Sequence, residues 1–181
     1  IGGLENSADI KYGEGGNNTK QVHAQGSYSV NWINKAYGNL QDDGRIEWIL
    51  TVNANAKAKA AGLKVTDILQ GKGLMYDTNS PIQVTKKNSN GETVTGSVVP
   101  DTIEWNPTND FTYGTDTWSY TIPETENGKY EYIFKYYTIA RPGLDDKEYG
   151  NVGTVSKNND SVSTGTIIGP GKGTSGTDGV L

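Results

Sequence analysis

A chain of 181 residues with 16 basic and 21 acidic side chains carries a formal charge of -5, interspersed along its length, which argues against nucleic acid or an anionic membrane as partner. Its 24 glycines, 11 tyrosines and single methionine, with a mean hydropathy of -0.63, argue against a helical core and describe a polar, turn-rich, all-β protein. The absence of cysteine excludes a disulfide framework, a thiolate nucleophile and a thiolate metal site, and no apolar run reaches membrane-spanning length.

Alternating runs bounded by turn signals predict strands over residues 4–11, 19–24, 28–36, 45–53, 62–69, 81–87, 92–98, 102–105, 117–122, 129–140, 149–156 and 162–168. The first two belong to a weak internal repeat. Leu4 to Ile10, a Gly/Asn turn and Lys20-Gln21-Val22 parallel Tyr149 to Val155, a turn at 157–160 and Thr166-Ile167-Ile168, with Asn6 matching Asn151. Residues 1–27 therefore read as the closing hairpin of a preceding similar domain, or as extra N-terminal strands of this one. Residues 28–168 read as a complete β-sandwich domain, and the Gly/Ser/Thr-rich 169–181 as a linker. The chain reads as a piece of a longer protein.

Further along, Ile46, Trp48, Leu50 and Val52 form one inward face, and Tyr130, Tyr132, Phe134 and Tyr136 another. The small residues of 53–61 suit either a helical turn or an extended loop. Trp32, Trp48, Trp105 and Trp118 are expected mostly in the core. His23 is the single histidine, so neither a histidine metal cluster nor a Ser-His-Asp triad can be assembled. Asp42-Asp43 and Asp145-Asp146 read as turns without EF-hand spacing, so no metal is expected. The glycine runs at 13–16 and 169–173 lack the strand-to-helix context of a phosphate loop, so no cofactor is expected either.

Two polar residues break the pattern. Asp67 is in phase with Leu63, Val65 and Leu69, and Asn151 with Tyr149 and Val155, so both side chains should point into a core. An unpaired buried carboxyl or amide costs roughly 2–7 kcal/mol, so each is either paired or used. Lys35 offers a third member, in phase with Ile33 and Tyr37 but opposed by Val30 and Trp32, a conflict that a bulge would resolve. Lys20 and Lys64 are weaker candidates, with Lys64 expected to point outward. The plain readings are a turn-capping acid, a cross-strand asparagine and a solvated edge lysine. Together, lysine, asparagine and an acid inside a β-sandwich have the chemistry of a spontaneous Lys–Asn isopeptide bond.

Lys35-Ala36-Tyr37-Gly38-Asn39-Leu40, the Trp48 strand ending in Val52-Asn53, Val65-Thr66-Asp67, Tyr132 to Ile139 and Tyr149-Gly150-Asn151 fall in an order that resembles the collagen-adhesin (CnaA-like) domain of Gram-positive surface proteins. The resemblance covers most of 28–168. It implies a variant immunoglobulin-like antiparallel β-sandwich with an intramolecular amide, Lys35 as the amine, Asn151 as the acceptor and Asp67 as the catalytic acid. Asn6 would be the equivalent residue of a preceding repeat. Burial disfavours a charged lysine and a charged carboxyl alike, which suits a neutral amine attacking an amide polarised by an acid.

The function expected from this resemblance is a structural or adhesive module of a cell-surface adhesin or pilus-like stalk. Such a module is extracellular and anchored to the cell wall through parts of the protein outside this chain. It is not an enzyme in the turnover sense, because the crosslink forms once. The alternative is a ligand-binding module recognising a host extracellular-matrix protein such as collagen, or a glycan. A carbohydrate-active enzyme is disfavoured, since no acid pair stands apart from turns. Neighbouring domains of the same chain are the other expected partners.

Overall fold

The structure, a computed structural model, describes residues 2–12, 18–28, 30–107, 111 and 116–170. They fall into two compact units, Ile1–Val30 and Asn31–Leu181. In the first, β1 (Gly2–Tyr12) and β2 (Asn18–Tyr28) form an antiparallel ribbon in continuous register from Gly2 opposite Tyr28 to Tyr12 opposite Asn18. The strands expected at 4–11 and 19–24 lie inside these two. Asn6 sits opposite Ala24.

The second unit packs two antiparallel sheets. One runs β3 (Ile33–Leu40), β4 (Arg45–Val52), β11 (Glu131–Ala140), β7 (Gln83–Lys87) and β8 (Thr93–Val98), with β6 (Leu74–Tyr76) also paired to β11. The other runs β13 (Asp160–Ser163), β12 (Gly150–Lys157), β5 (Lys64–Gln70), β10 (Thr117–Thr121) and β9 (Glu104–Asn106), with β14 (Ile167–Ile168) also paired to β12. Alternation decides which side chains fill the space between them. From one sheet come Ile46, Trp48, Leu50 and Val52 of β4 with Tyr132, Phe134, Tyr136 and Thr138 of β11. The other supplies Val65, Asp67 and Leu69 of β5, Trp118 of β10, and Asn151 and Val155 of β12. Trp32 and Trp105 are partly buried against this core.

The local readings at 28–36, 162–168 and 169 differ from the sequence expectation, each for a visible reason, and the open reading at 53–61 resolves to a turn. The strand expected at 28–36 begins at Ile33, so Val30 and Trp32 precede it and their opposing phase is irrelevant to Lys35. The irregularity in the β3–β4 pairing lies later, between Tyr37 and Leu40. The stretch 162–168 divides into β13 and β14, because Gly165 turns the chain at φ 71° and Thr164 takes over the ladder, accepting from the Gly153 amide at 3.1 Å and donating to its carbonyl at 2.9 Å. In 53–61 a single 3-10 turn, Ala54–Ala56, is preceded by Asn53 in the left-handed region at φ 55°, its amide bonded to the carbonyls of Ala58 and Tyr130. Gly169, the first residue of the expected linker, is buried: its amide bonds the Tyr149 carbonyl, and a Cβ there would come within 2.9 Å of the Trp48 ring.

Candidate functional site

Lys35, on the edge strand β3, extends across the sandwich to Asp67 on β5 of the facing sheet, and its Nζ bonds directly to Asp67 Oδ2. Both side chains are fully screened from solvent. Ile33 and Lys35 face inward while Asn34 and Ala36 face out, so the two-residue period of β3 puts this lysine inside. Its ammonium sits 5.2 Å from the Trp48 ring centroid and 5.6 Å from that of Tyr136. Those ring faces offer a cation some stabilisation where water is absent.

The carboxylate accepts from two phenols as well. Tyr76 donates its hydroxyl to Oδ1 at 2.8 Å, and Tyr136 donates to Oδ2 at 2.7 Å. Tyr136 also accepts from the Asn151 side-chain amide, Nδ2, at 3.1 Å. Strand register explains this meeting. On β12, Gly153 lies opposite Asp67 and Asn151 opposite Leu69, so Asn151 is the diagonal neighbour of Asp67 on the inward face. The Asn151 carbonyl oxygen, Oδ1, is buried and has no hydrogen-bond partner among the described residues.

Gly153 lets the sheets come this close. A Cβ there would stand 2.5 Å from Leu50 Cδ1 and 3.2 Å from Ile33 Cδ1. A side chain there would have to displace the tips of Leu50 and Ile33, on the strands that also carry Trp48 and Lys35. Burial dominates the electrostatics. It lowers the Lys35 pKa from 10.5 to about 8 against the opposing pull of the Asp67 charge. It also drives the phenols of Tyr76 and Tyr136 well above their ordinary value, with the Asp67 charge as the next cause. Both phenols therefore stay protonated donors.

Lys35, Asp67 and Asn151 thus all reach one buried cluster. Lys64 points outward, half exposed, 3.7 Å from Glu104. The side chains of Asn6, Lys20 and His23 lie outside the described residues. The sequence does not show the hydroxyl contacts of two tyrosines. Tyr136 was legible as an inward residue of β11 but not as a hydroxyl bonded to both Asp67 and Asn151. Tyr76 lies on a three-residue strand too short to leave a period. Among the described residues, no three His, Cys, Asp or Glu side chains gather to hold a metal ion.

No family model matches the chain, and no curated protein does. Among solved structures it is similar to the collagen-binding subdomain of the Enterococcus faecalis surface protein ACE, with a TM-score of 0.51 and 14% identity over 76% of this chain and 94% of that one. It is similar also to the collagen-binding domain of the Erysipelothrix rhusiopathiae surface protein RspB, at TM-score 0.50 and 17% identity, covering 93% of this chain and 53% of that one. A further structure of the E. faecalis ACE protein, described as binding its ligands by the collagen hug model, matches at TM-score 0.50 and 13% identity over 87% of this chain and 56% of that one. The chain spans about half the length of the latter two. At such identities the likeness is one of architecture: this is the immunoglobulin-like antiparallel β-sandwich found in collagen-binding domains of bacterial surface proteins.

Proposed function

We propose that the chain is a structural module of a Gram-positive cell-surface adhesin or pilus-like stalk, closed by an amide between Lys35 Nζ and Asn151 Cγ that forms with the help of Asp67. One observation carries this reading: a lysine buried against a carboxylate, in the same dry cluster as an asparagine whose carbonyl oxygen is unpartnered. A buried acceptor left unpaired costs about 1–3 kcal/mol, and it is the atom on which charge would develop if the amide carbon were attacked.

The chemistry begins with proton exchange inside the ion pair. Transfer from the Lys35 ammonium to Asp67 gives a neutral amine beside a neutral acid. The Nζ lone pair attacks Cγ of Asn151, and the carbonyl π pair moves to Oδ1. Collapse restores the carbonyl, breaks the Cγ–Nδ2 bond and releases ammonia. Folding supplies the proximity, on the order of 7–11 kcal/mol for well-oriented groups. The event occurs once per molecule, so the protein is its own substrate and not an enzyme. Mass spectrometry of the intact chain tests the bond. A mass short of the calculated value by one ammonia supports it, and the full mass rejects it. Asp67→Ala is expected to keep the full mass and to melt at lower temperature.

The domain reading goes with this role. Residues 1–27 would be the closing hairpin of a preceding similar domain, with Asn6 matching Asn151. The separate β1–β2 ribbon supports that division. The protein would stand outside the cell, anchored to the wall through segments beyond this chain.

A second reading, a ligand-binding module for a collagen-like matrix protein or a glycan, is favoured by the collagen-binding domains that share the fold. Titration against immobilised matrix proteins and glycans separates the two, flat responses leaving the stalk.

A further inference from the structure

Ammonia release needs a proton delivered to Nδ2, because an amide nitrogen leaves only as a neutral amine. Resting on the crosslink reading above, we infer that Tyr136 is a second catalytic residue, a relay passing a proton from Asp67 to the nitrogen that departs from Asn151. Its hydroxyl touches both ends of that path, 2.7 Å from Asp67 Oδ2 and 3.1 Å from Asn151 Nδ2. The same carboxylate oxygen receives the Lys35 bond, so nucleophile, acid, relay and leaving group form one unbroken chain of contacts. Tyr76 is the built-in contrast: it donates to the other oxygen, Oδ1, and has no hydrogen bond to Asn151.

The direction of the chain is set by the protonation of Asp67. As an ion pair, Asn151 Nδ2–H points to Tyr136 and Tyr136 O–H points to the carboxylate. Once Asp67 holds the lysine proton, its O–H can donate to Tyr136, freeing the phenol hydrogen to face Nδ2. A planar amide nitrogen has no lone pair to accept it. That pair appears only when amine attack has made Cγ tetrahedral, so the relay opens after the new bond forms. Nδ2 then takes the phenol proton, Tyr136 takes the Asp67 proton, and Asp67 takes the surplus proton from Nζ. The Cγ–Nδ2 bond breaks and ammonia departs, leaving Tyr136 as it began and Asp67 as the neutral acid, holding the proton that the Lys35 ammonium brought to the pair. Complete burial of Tyr136, with the Trp118 ring edge-on at 5.2 Å, keeps water from supplying the proton instead. Burial also holds the phenol protonated, so it passes a proton without standing as a phenolate.

The test follows ammonia loss over time by intact mass in the full-length chain made by cell-free translation and quenched in acid, for wild type, Tyr76→Phe and Tyr136→Phe. Each variant removes one phenol from Asp67, and only the second cuts the path to Nδ2. A general acid contributes roughly 10²–10⁴-fold, so Tyr136→Phe should convert at least about tenfold more slowly than Tyr76→Phe while giving a native near-UV circular dichroism spectrum. Equal slowing of the two overturns the relay and leaves the crosslink standing. A wild type of full mass overturns the crosslink itself. Should Tyr136→Phe not fold, 3-fluorotyrosine introduced at 136 keeps the shape and both hydrogen bonds while making the phenol more acidic. The relay requires a larger rate change from it there than at 76, and an equal change at both positions refutes it.

Discussion

At the scale of single residues, the decisive contact is the Lys35–Asp67 ion pair, both side chains screened from solvent. The neutral amine beside the neutral acid holds the same number of protons as the ion pair, so the reactive form is a tautomer of the resting one. The rate of crosslinking should therefore stay level across neutral pH and fall about tenfold per pH unit once the pair loses its proton, above about 8. A lysine acting alone would do the reverse and speed up as it deprotonated. Acid-quenched time courses between pH 6 and 10 distinguish the two. The same proton governs stability in Asn151→Ala, which keeps the pair but cannot react. The native lysine releases its proton near 8 and the unfolded one near 10.5, so between those values the unfolded state binds more protons. Stability of this variant should then rise with pH across that window, as urea unfolding would record. An unchanged midpoint from pH 8 to 10 would contradict it. The inward placement of Asp67 and Asn151 was legible because strands alternate strictly. The role of the tyrosine hydroxyls was not, since an inward tyrosine looks like any other core aromatic until its partners are known.

Among the elements, β12 bears the most constraint. Its inward residues are Asn151, Gly153 and Val155, and the glycine is what brings it under Ile33 and Leu50. Gly153→Ala places a methyl 2.5 Å from Leu50 Cδ1. Overpacking of this kind costs roughly 1–3 kcal/mol, and here it falls between β12, which carries Asn151, and the strands that carry Leu50 and Lys35. The expected result is a lower melting temperature together with incomplete ammonia loss. Full conversion at wild-type rate would mean that the strands do not need this close approach. Element boundaries show where sequence reasoning stops. Long runs such as β4 and β11 fix their own register by sustained alternation of buried and exposed positions. The start of β3 does not, because Val30 and Trp32 continue an apolar pattern into a segment that is no longer strand. Likewise β13 and β14 read as one run because the turn at Gly165 is a single residue whose positive φ depends on tertiary pairing to β12. β6 exists only because β11 offers it an edge.

For the whole molecule, the proposed amide ties β3, the first strand of the sandwich, to β12, which pairs with β5 and with β13 and β14, the last two strands of the described fold. The closed loop exceeds a hundred residues, and by the chain-entropy reasoning used for disulfides such a closure contributes about 4.7 kcal/mol. For a domain of this size each kcal/mol moves the melting temperature by about 2–4 °C. Asp67→Ala should therefore melt roughly 10–20 °C lower than the crosslinked chain. The proposed amide would also have a mechanical consequence. Tension applied to the two ends of the larger unit would pass from Lys35 through the amide to Asn151, leaving residues 36–150 outside the load path. The proposed amide would give a cysteine-free module what a disulfide gives, through a bond that reductants do not cleave. Single-molecule pulling on the chain between flanking handle domains should show no release of that segment in wild type. The Asp67→Ala chain, lacking the tie, should add an extension on the order of 400 Å at full stretch. If the wild-type chain released the same length at moderate force, the two strands would be held by packing alone and the sandwich would bear load as any uncrosslinked β-domain does.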